Sequence, residues 1–198
     1  MVQNMTVLLR LSIVLSFALA IAHAQTGIWK HVNTRPDPQP EHLTVSKAQV
    51  EATKKALIAS GRTDAWPCDF TGEDWTRTLI FEDLPVSATG KTMLVEAGPG
   101  CARGGQGSNG AMWVVRFKDQ KPVVLASPKQ KFNGWLYSIQ PTTNHGLRDL
   151  VLGWHMSATE TDLSYFQFDG KSYRLIGTAQ LTADVDGNAK IVPNPKHD

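Results

Sequence analysis

The sequence predicts an α+β fold, a single domain built mainly from an antiparallel β-sheet with one N-terminal helix. Three observations support this prediction. Only residues 44–60 combine helix-forming composition with a helical apolar spacing. From residue 75 onward, the chain consists mainly of short strand-like runs separated by turn residues. One of these runs, residues 149–156, alternates between two kinds of side chain with the period of two that marks a half-buried strand.

Residues 1–24 have the pattern of a secretory signal peptide. Arg10 is the only charged residue before His23, an apolar run follows at 11–22, and Ala24 completes an A-x-A cleavage signal. The apolar run is shorter than the roughly 20 residues that span a bilayer. We therefore expect a mature chain that begins at Gln25, is periplasmic or secreted, and does not span a membrane.

The balance of charge argues against several classes of partner. The formal net charge is +2, and it becomes +1 after cleavage because residues 1–24 contain one Arg and no acidic residue. A nearly neutral chain with scattered Lys and Arg lacks the basic patch that binds nucleic acid or an anionic membrane. We expect no nucleic-acid partner and no cofactor, and the sequence leaves the oligomeric state open.

Residues 25–42 are predicted to be a Pro-rich leader that precedes a β-rich globular domain at 43–198. Proline alternates with polar residues at 34–40, which favours extended backbone and blocks a helix. The predicted helix follows at 44–60, with Thr44 or Ser46 as its N-cap and Gly61 at its C-terminal stop.

The two cysteines, Cys68 and Cys101, are predicted to form one disulfide, because an even count in an oxidising compartment favours pairing. The closed loop would contribute roughly 3.5–4 kcal/mol in the chain-entropy model. Two free thiols or a metal pair are the alternatives. A zinc site is disfavoured because no further Cys or His lies at ligand spacing.

The predicted strands cover most of the chain after residue 75. They span residues 75–83, 91–97, 112–118, 122–126, 132–140, 149–156, 163–168, 172–178 and 179–192. Within the run at 149–156, Leu150, Leu152, Trp154 and Met156 share one face, and Asp149 and His155 lie on the other. Asp169-Gly170 separates two runs and predicts a hairpin with a type I′ turn.

Two loops have compositions that suit ligands. The glycine-rich stretch 98–110 carries Arg103 and backbone N–H groups that suit an anion, although a surface loop held by Cys101 is the simpler interpretation. Residues 184–188 resemble half of a calcium loop, but the glycine comes too early and no acid closes the loop, so an Asx-rich turn is preferred. No metal site is predicted.

The candidate catalytic residues surround the alternating strand. They are His155, Ser157, Glu160 and Asp149. An imidazole beside a hydroxyl is the arrangement that activates a nucleophile. Asp149 and His155 would be about 20 Å apart on a straight strand at ~3.3 Å per residue, which excludes direct pairing.

The candidate ligand-binding residues are Arg103, Trp135 and His145. Trp135 falls in or near an irregular segment, as do Trp29 and Trp66, and two such rings exposed together would mark a surface that binds a partner or a glycan. Burial under loops is the alternative for each ring.

The segment Gly146–Tyr173 resembles a pattern found in small exported bacterial proteins of uncharacterised function. The shared text is G-x-x-D-L-x-x-x-x-H-x-S-A-x-E-x-x-L-x-x-Y-x-F-D-G-x-x-Y, with Gln167 and a displaced Tyr165 as departures. The G-x-x-D-L element before a strand is also similar to the FG-GAP blades of β-propellers, although a chain of this length holds only a few blades. The resemblance implies export and names no activity.

The function expected from these observations is a non-enzymatic binding or interaction module with a protein or envelope partner. The alternative is a small extracytoplasmic hydrolase that uses His155 with Ser157, Glu160 or Asp149.

Overall fold

The computed structural model describes residues 27–60, 79–97 and 109–194. This part of the chain is mainly one antiparallel β-sheet, and one of its helices, α1 (Lys47–Ala59), has seven or more residues. The strands are β1 (Leu79–Asp83), β2 (Thr92–Ala97), β3 (Gly110–Lys118), β4 (Lys121–Ala126), β5 (Asn133–Asn144), β6 (Leu147–His155), β7 (Glu160–Phe168), β8 (Tyr173–Ala183) and β9 (Ala189–Pro193).

The sheet branches at β3. Its strands follow the order β1-β2-β3-β5-β6-β7-β8-β9, and β4 pairs with β3 beside this path. The C-terminal part of β3 pairs with β4, whereas only Gly110 and Ala111 pair with β5. A short junction therefore joins the first strands of the sheet to the long meander β5–β9.

Three apolar clusters hold the layers together. The inner face of the sheet buries one apolar cluster. Strands β2 and β3 contribute Leu94 and Met112 to it, and β6 and β7 contribute Leu150 and Phe166. Strands from both ends of the path therefore share one core, and the sheet curves around it. The outer face of β1–β3 packs under α1. The outer face of β5–β8 is covered by residues from the N-terminal segment.

Helix α1 confirms the helix predicted at 44–60. Ser46 is the N-cap, and it exchanges hydrogen bonds with Gln49 in a capping box. Leu57 is fully buried against the strands beneath the helix. Of the two predicted N-caps, Thr44 and Ser46, the structure selects Ser46, whereas the predicted stop at Gly61 lies outside the described residues.

The segment predicted as a leader is packed where the structure describes it. In residues 27–42, Trp29 and Val32 are buried in the cluster over β5–β8. Asp37 accepts a hydrogen bond from the Ile139 N–H at 2.9 Å and donates its own N–H to the Tyr137 carbonyl at 2.8 Å. Residues 34–40 contain no helix, as their proline content predicts.

The hairpin predicted at Asp169-Gly170 is confirmed, but the prediction that a two-residue type I′ turn closes it is wrong. Phe168 pairs with Tyr173, so the loop has four residues, of which only Gly170 has a positive φ. The Asp169 carboxylate accepts the N–H groups of Lys171 and Ser172 and pairs with Arg174. Its bond with Arg174 holds the pKa of Asp169 well below its usual range.

The strand predicted at 179–192 is divided in two. Its first residues belong to β8, which runs to Ala183, and its last residues form β9. Between them, the Asp184 carboxylate accepts the N–H groups of Asp186 and Asn188. The preferred Asx-turn interpretation of 184–188 is therefore confirmed, and these bonds lower the pKa of Asp184.

Candidate functional site

Three of the four predicted catalytic residues lie on the hairpin that joins β6 to β7. His155 ends β6, Glu160 begins β7, and Ser157 stands between them, all three exposed. The Ser157 hydroxyl accepts the Thr159 N–H at 3.3 Å. Among the described residues, the His155 imidazole has no hydrogen-bond partner. The hairpin brings these groups near one another in the chain but forms no nucleophile–base pair between them.

Asp149 lies at the opposite end of β6 and is engaged elsewhere. Its side chain is buried and accepts hydrogen bonds from Thr142 at 2.8 Å, Asn144 at 2.8 Å and Tyr165 at 3.2 Å. Both carboxylate oxygens are thus used to fix the β5–β6 turn against β7. No local sequence signal indicates these three partners, because they depend on the register of β5 and β7 with β6.

The predicted ligand residues are not brought together. Trp135 lies near the start of β5, half-buried, with its ring over Gly153 and 5.4 Å from the Tyr137 ring. His145 follows the other end of β5 at a φ of 49°, and its ring stands beside Gly170 of the next turn. Trp135 is therefore a packing residue.

Several predictions lie outside the described residues. They concern the signal peptide at 1–24, the disulfide between Cys68 and Cys101, the ring of Trp66, and Arg103 with most of the glycine-rich stretch 98–110. Each of them stays a prediction.

A cleft of about 370 Å³ opens where the inner face of β6–β8 extends beyond the apolar core. We call it the Trp154 cleft. Its apolar lining includes Leu152, Trp154 and Leu175, its charged groups are Lys131 and Asp162, and its neutral polar groups are Asn133, Ser164, Thr178 and Asn194. Its volume falls within the usual range of small-molecule sites, roughly 300–1,000 Å³.

Strand register places most of these side chains on one face. Leu152 pairs with Ser164, and Ser164 in turn pairs with Thr178, so these three residues form one row across the sheet. Trp154 and Asp162 form the next row. Trp154 belongs to the apolar face predicted for this strand, yet it is only half-buried, because the inner core ends before this row.

The wall of the cleft comes from the connection between β4 and β5. A 3-10 turn, Pro128–Gln130, ends at Lys131, which has a left-handed φ of 63°. Asn133 then starts β5, and Asn194 closes the opposite side by donating its N–H to the Thr178 carbonyl at 2.9 Å. Nothing in the local sequence around Lys131 or Asp162 indicated that they would share a cavity.

The charged groups of the cleft have no ionic partner in the part of the chain that the structure describes. Neither Asp162 nor Lys131 forms an ion pair there, although they line the same cavity. A carboxylate and an ammonium group are thus available to a ligand, beside an apolar surface. This combination of apolar lining and a few polar groups is typical of ligand sites.

A second cleft of about 340 Å³ lies between α1 and the strands beneath it. Two of its polar residues, Ser46 and Gln49, already form hydrogen bonds with one another in the capping box. It therefore offers fewer available polar groups than the Trp154 cleft.

Within residues 27–60, 79–97 and 109–194, no group of three or more His, Cys, Asp or Glu could hold a metal ion. The same residues include no helix with the length and apolar character needed to cross a membrane. No protein-family model, curated protein or solved structure matches the chain. Its function is therefore inferred from the sequence and from the geometry of the described residues.

Proposed function

We propose that this chain is an exported, non-enzymatic binding module of the periplasm or cell exterior, and that its ligand occupies the Trp154 cleft. The observation that carries the proposal is the presence of Asp162 and Lys131 beside an apolar surface, each without an ionic partner in the described part of the chain. A charged group in a cavity is stabilised when a ligand of opposite charge pairs with it, and a few such groups orient the ligand.

The arrangement of the other candidates favours binding over hydrolysis. The alternative hydrolase would need His155 next to an activated hydroxyl or a carboxylate. Asp149 is at the far end of β6 with both oxygens occupied, and the Ser157 hydroxyl contacts Thr159. General acid–base work requires groups within hydrogen-bond reach of each other or of the substrate.

The proposal extends to the organisation of the exported chain. We propose that α1 is the single N-terminal helix of an α+β domain and that Cys68 and Cys101 form a disulfide after export. The A-x-A signal at 22–24 and the even number of cysteines support both export and pairing.

Equilibrium dialysis against the small-molecule fraction of an envelope extract tests the site. The secreted chain should concentrate at least one compound, identified by mass spectrometry. Ser164→Trp, which places an indole in the cleft, should abolish this enrichment. Asn194→Trp provides a second obstruction at the rim, in case the first variant fails to fold.

Ser157→Trp is the matched control, because it adds the same side chain on the exposed β6–β7 hairpin. It should leave the enrichment unchanged. If no compound is enriched, or if both cleft variants enrich the same compounds as the original chain, the cleft is not the binding site.

A further inference from the structure

We infer that the ligand of the Trp154 cleft is zwitterionic, and specifically an α-amino acid with an apolar side chain. This inference rests on the proposed function and names the chemical class that the site would take. It is carried by two opposite charges that line one cavity, together with the apolar surface of the same cavity.

The charges are arranged for two separate groups of a ligand. Asp162 projects from β7, in the same row as Trp154, whereas Lys131 stands on the wall between β4 and β5. They form no ion pair with each other, so a ligand can meet each of them with a different group. An ammonium group beside Asp162 and a carboxylate beside Lys131 would each form a charge-assisted hydrogen bond.

The rest of the lining suits an apolar side chain. Leu152 belongs to the buried inner core, and Leu175 packs against the same cluster, so an aliphatic group in the cleft would extend that core. Burying such a group contributes roughly 25 cal/mol per Å² of apolar surface. Ser164 and Thr178 add hydroxyl groups that can bond either charged end of the ligand.

Other ligand classes fit the charges less well. A phosphorylated ligand would meet a single Lys and be repelled by the Asp162 carboxylate, and a polyamine would be repelled by Lys131. A neutral sugar would leave both charges partly desolvated without a partner, which costs free energy. A ligand with one positive and one negative group can pair with both Asp162 and Lys131.

Calorimetric titration of the full secreted chain with three matched probes tests the inference. The probes are leucine, leucinamide, which lacks the carboxylate, and N-acetyl-leucine, which lacks the ammonium group. Leucine should bind most tightly, and each single-charge probe should bind about tenfold more weakly, as expected when one charge-assisted hydrogen bond is lost.

Two variants assign each charge to its partner. With Asp162→Asn, leucine should lose about tenfold in affinity, and its advantage over N-acetyl-leucine should disappear. With Lys131→Gln, the advantage over leucinamide should disappear instead. Asp119→Asn and Lys171→Gln make the same charge changes on exposed turns outside the cleft, and they should change none of the three affinities.

Each contrary outcome has a distinct meaning. Failure of leucine to bind, or equal binding of all three probes, overturns the zwitterion inference. If the dialysis experiment still shows an enrichment that Ser164→Trp removes, the proposed function stands and only the ligand class is wrong. If that enrichment is also absent, both proposals fail.

Discussion

Two glycines let β5 and β6 approach one another beside the cleft. A Cβ on Gly134 would lie 2.1 Å from the Gly153 carbonyl oxygen, and Gly134 has a φ of 111°. A Cβ on Gly153 would lie 2.7 Å from the Trp135 ring. Gly134 also pairs with Gly110, so it stands where β5 joins both β3 and β6.

Gly134→Ala should therefore destabilise the fold by at least about 2 kcal/mol, because it combines backbone strain with a clash against a main-chain atom. Gly146→Ala is the matched control, since Gly146 has a φ of 81° but no atom within 4 Å of the added Cβ. It should cost only about 1 kcal/mol. Denaturant unfolding of both variants measures this difference, and equal losses would show that the close approach is unimportant.

All three tyrosines of the chain bury their hydroxyl groups against a specific acceptor. Tyr137 donates to the Asn33 carbonyl, Tyr165 to Asp149, and Tyr173 to the Arg148 carbonyl. Burial, with Asp37 nearby, raises the pKa of Tyr137 to about 12. Burial raises the pKa of Tyr165 to about 12 as well, and it also raises the pKa of Tyr173.

The native chain should therefore show no phenolate absorbance at pH 10, the ordinary tyrosine pKa, whereas the chain in urea should titrate normally. Between pH 10 and about 12 the native state holds more protons than the unfolded state. The stability that these tyrosines contribute is thus fully present below pH 10, and it falls as the pH rises through this window. A native titration midpoint near 10 for all three residues would contradict these contacts.

At the scale of elements, the N-terminal segment acts as part of the fold. Trp29 packs edge-on against Tyr165 at 5.7 Å, and the Gln39 side chain donates to the Leu136 carbonyl at 3.2 Å. Residues 27–40 thus cover the outer face of β5–β8 and leave the opposite, inner face to form the cleft. Alternating prolines predicted the extended backbone, but they carry no information about the surface it covers.

Trp29→Ala should cost about 3–5 kcal/mol, the usual loss for removing a buried aromatic side chain. His31→Ala, two residues away and exposed, should remain within about 0.5 kcal/mol of the original chain. Thermal or denaturant unfolding distinguishes the two. Similar small effects for both variants would mean that the segment is only loosely attached.

Turn chemistry shows what local sequence can and cannot predict. Asp169-Gly170 has the sequence of a type I′ turn but forms a four-residue loop closed by its carboxylate. Two-residue turns with positive φ at both positions occur instead at Asp119-Gln120 and His145-Gly146. Cross-strand register therefore overrides the local preference of the turn residues.

For the whole molecule, the elements were predictable and their arrangement was not. The helix cap at Ser46 and the strand at 149–156 are local signals, and both elements appear in the structure. The half-buried character predicted for this strand is wrong, because residues 149–153 are all buried, with the inner core on one face and the N-terminal segment over the other. The branch at β3 depends on two residue pairs between β3 and β5, and the cleft is lined by residues of β6, β7, β8 and the β4–β5 connection. No spacing within a single segment specifies such long-range pairing.

Export is a prediction about the whole chain. Mass spectrometry of the periplasmic or culture fraction should find a chain that begins at Gln25, and alkylation without reduction should label neither Cys68 nor Cys101. An unprocessed chain that retains Met1 in the cell interior would contradict export. Two alkylated cysteines in the processed chain would contradict the disulfide alone.

The most direct test of the binding site monitors the indole N–H signals of the six tryptophans by NMR. The Trp154 signal, assigned with Trp154→Phe, should shift and saturate as the small-molecule fraction of an envelope extract is added. The signal of Trp113, which is 1% exposed, should stay unchanged as an internal control. A stationary Trp154 signal, while Trp135 or another indole responds, would contradict the assignment of ligand binding to this cleft.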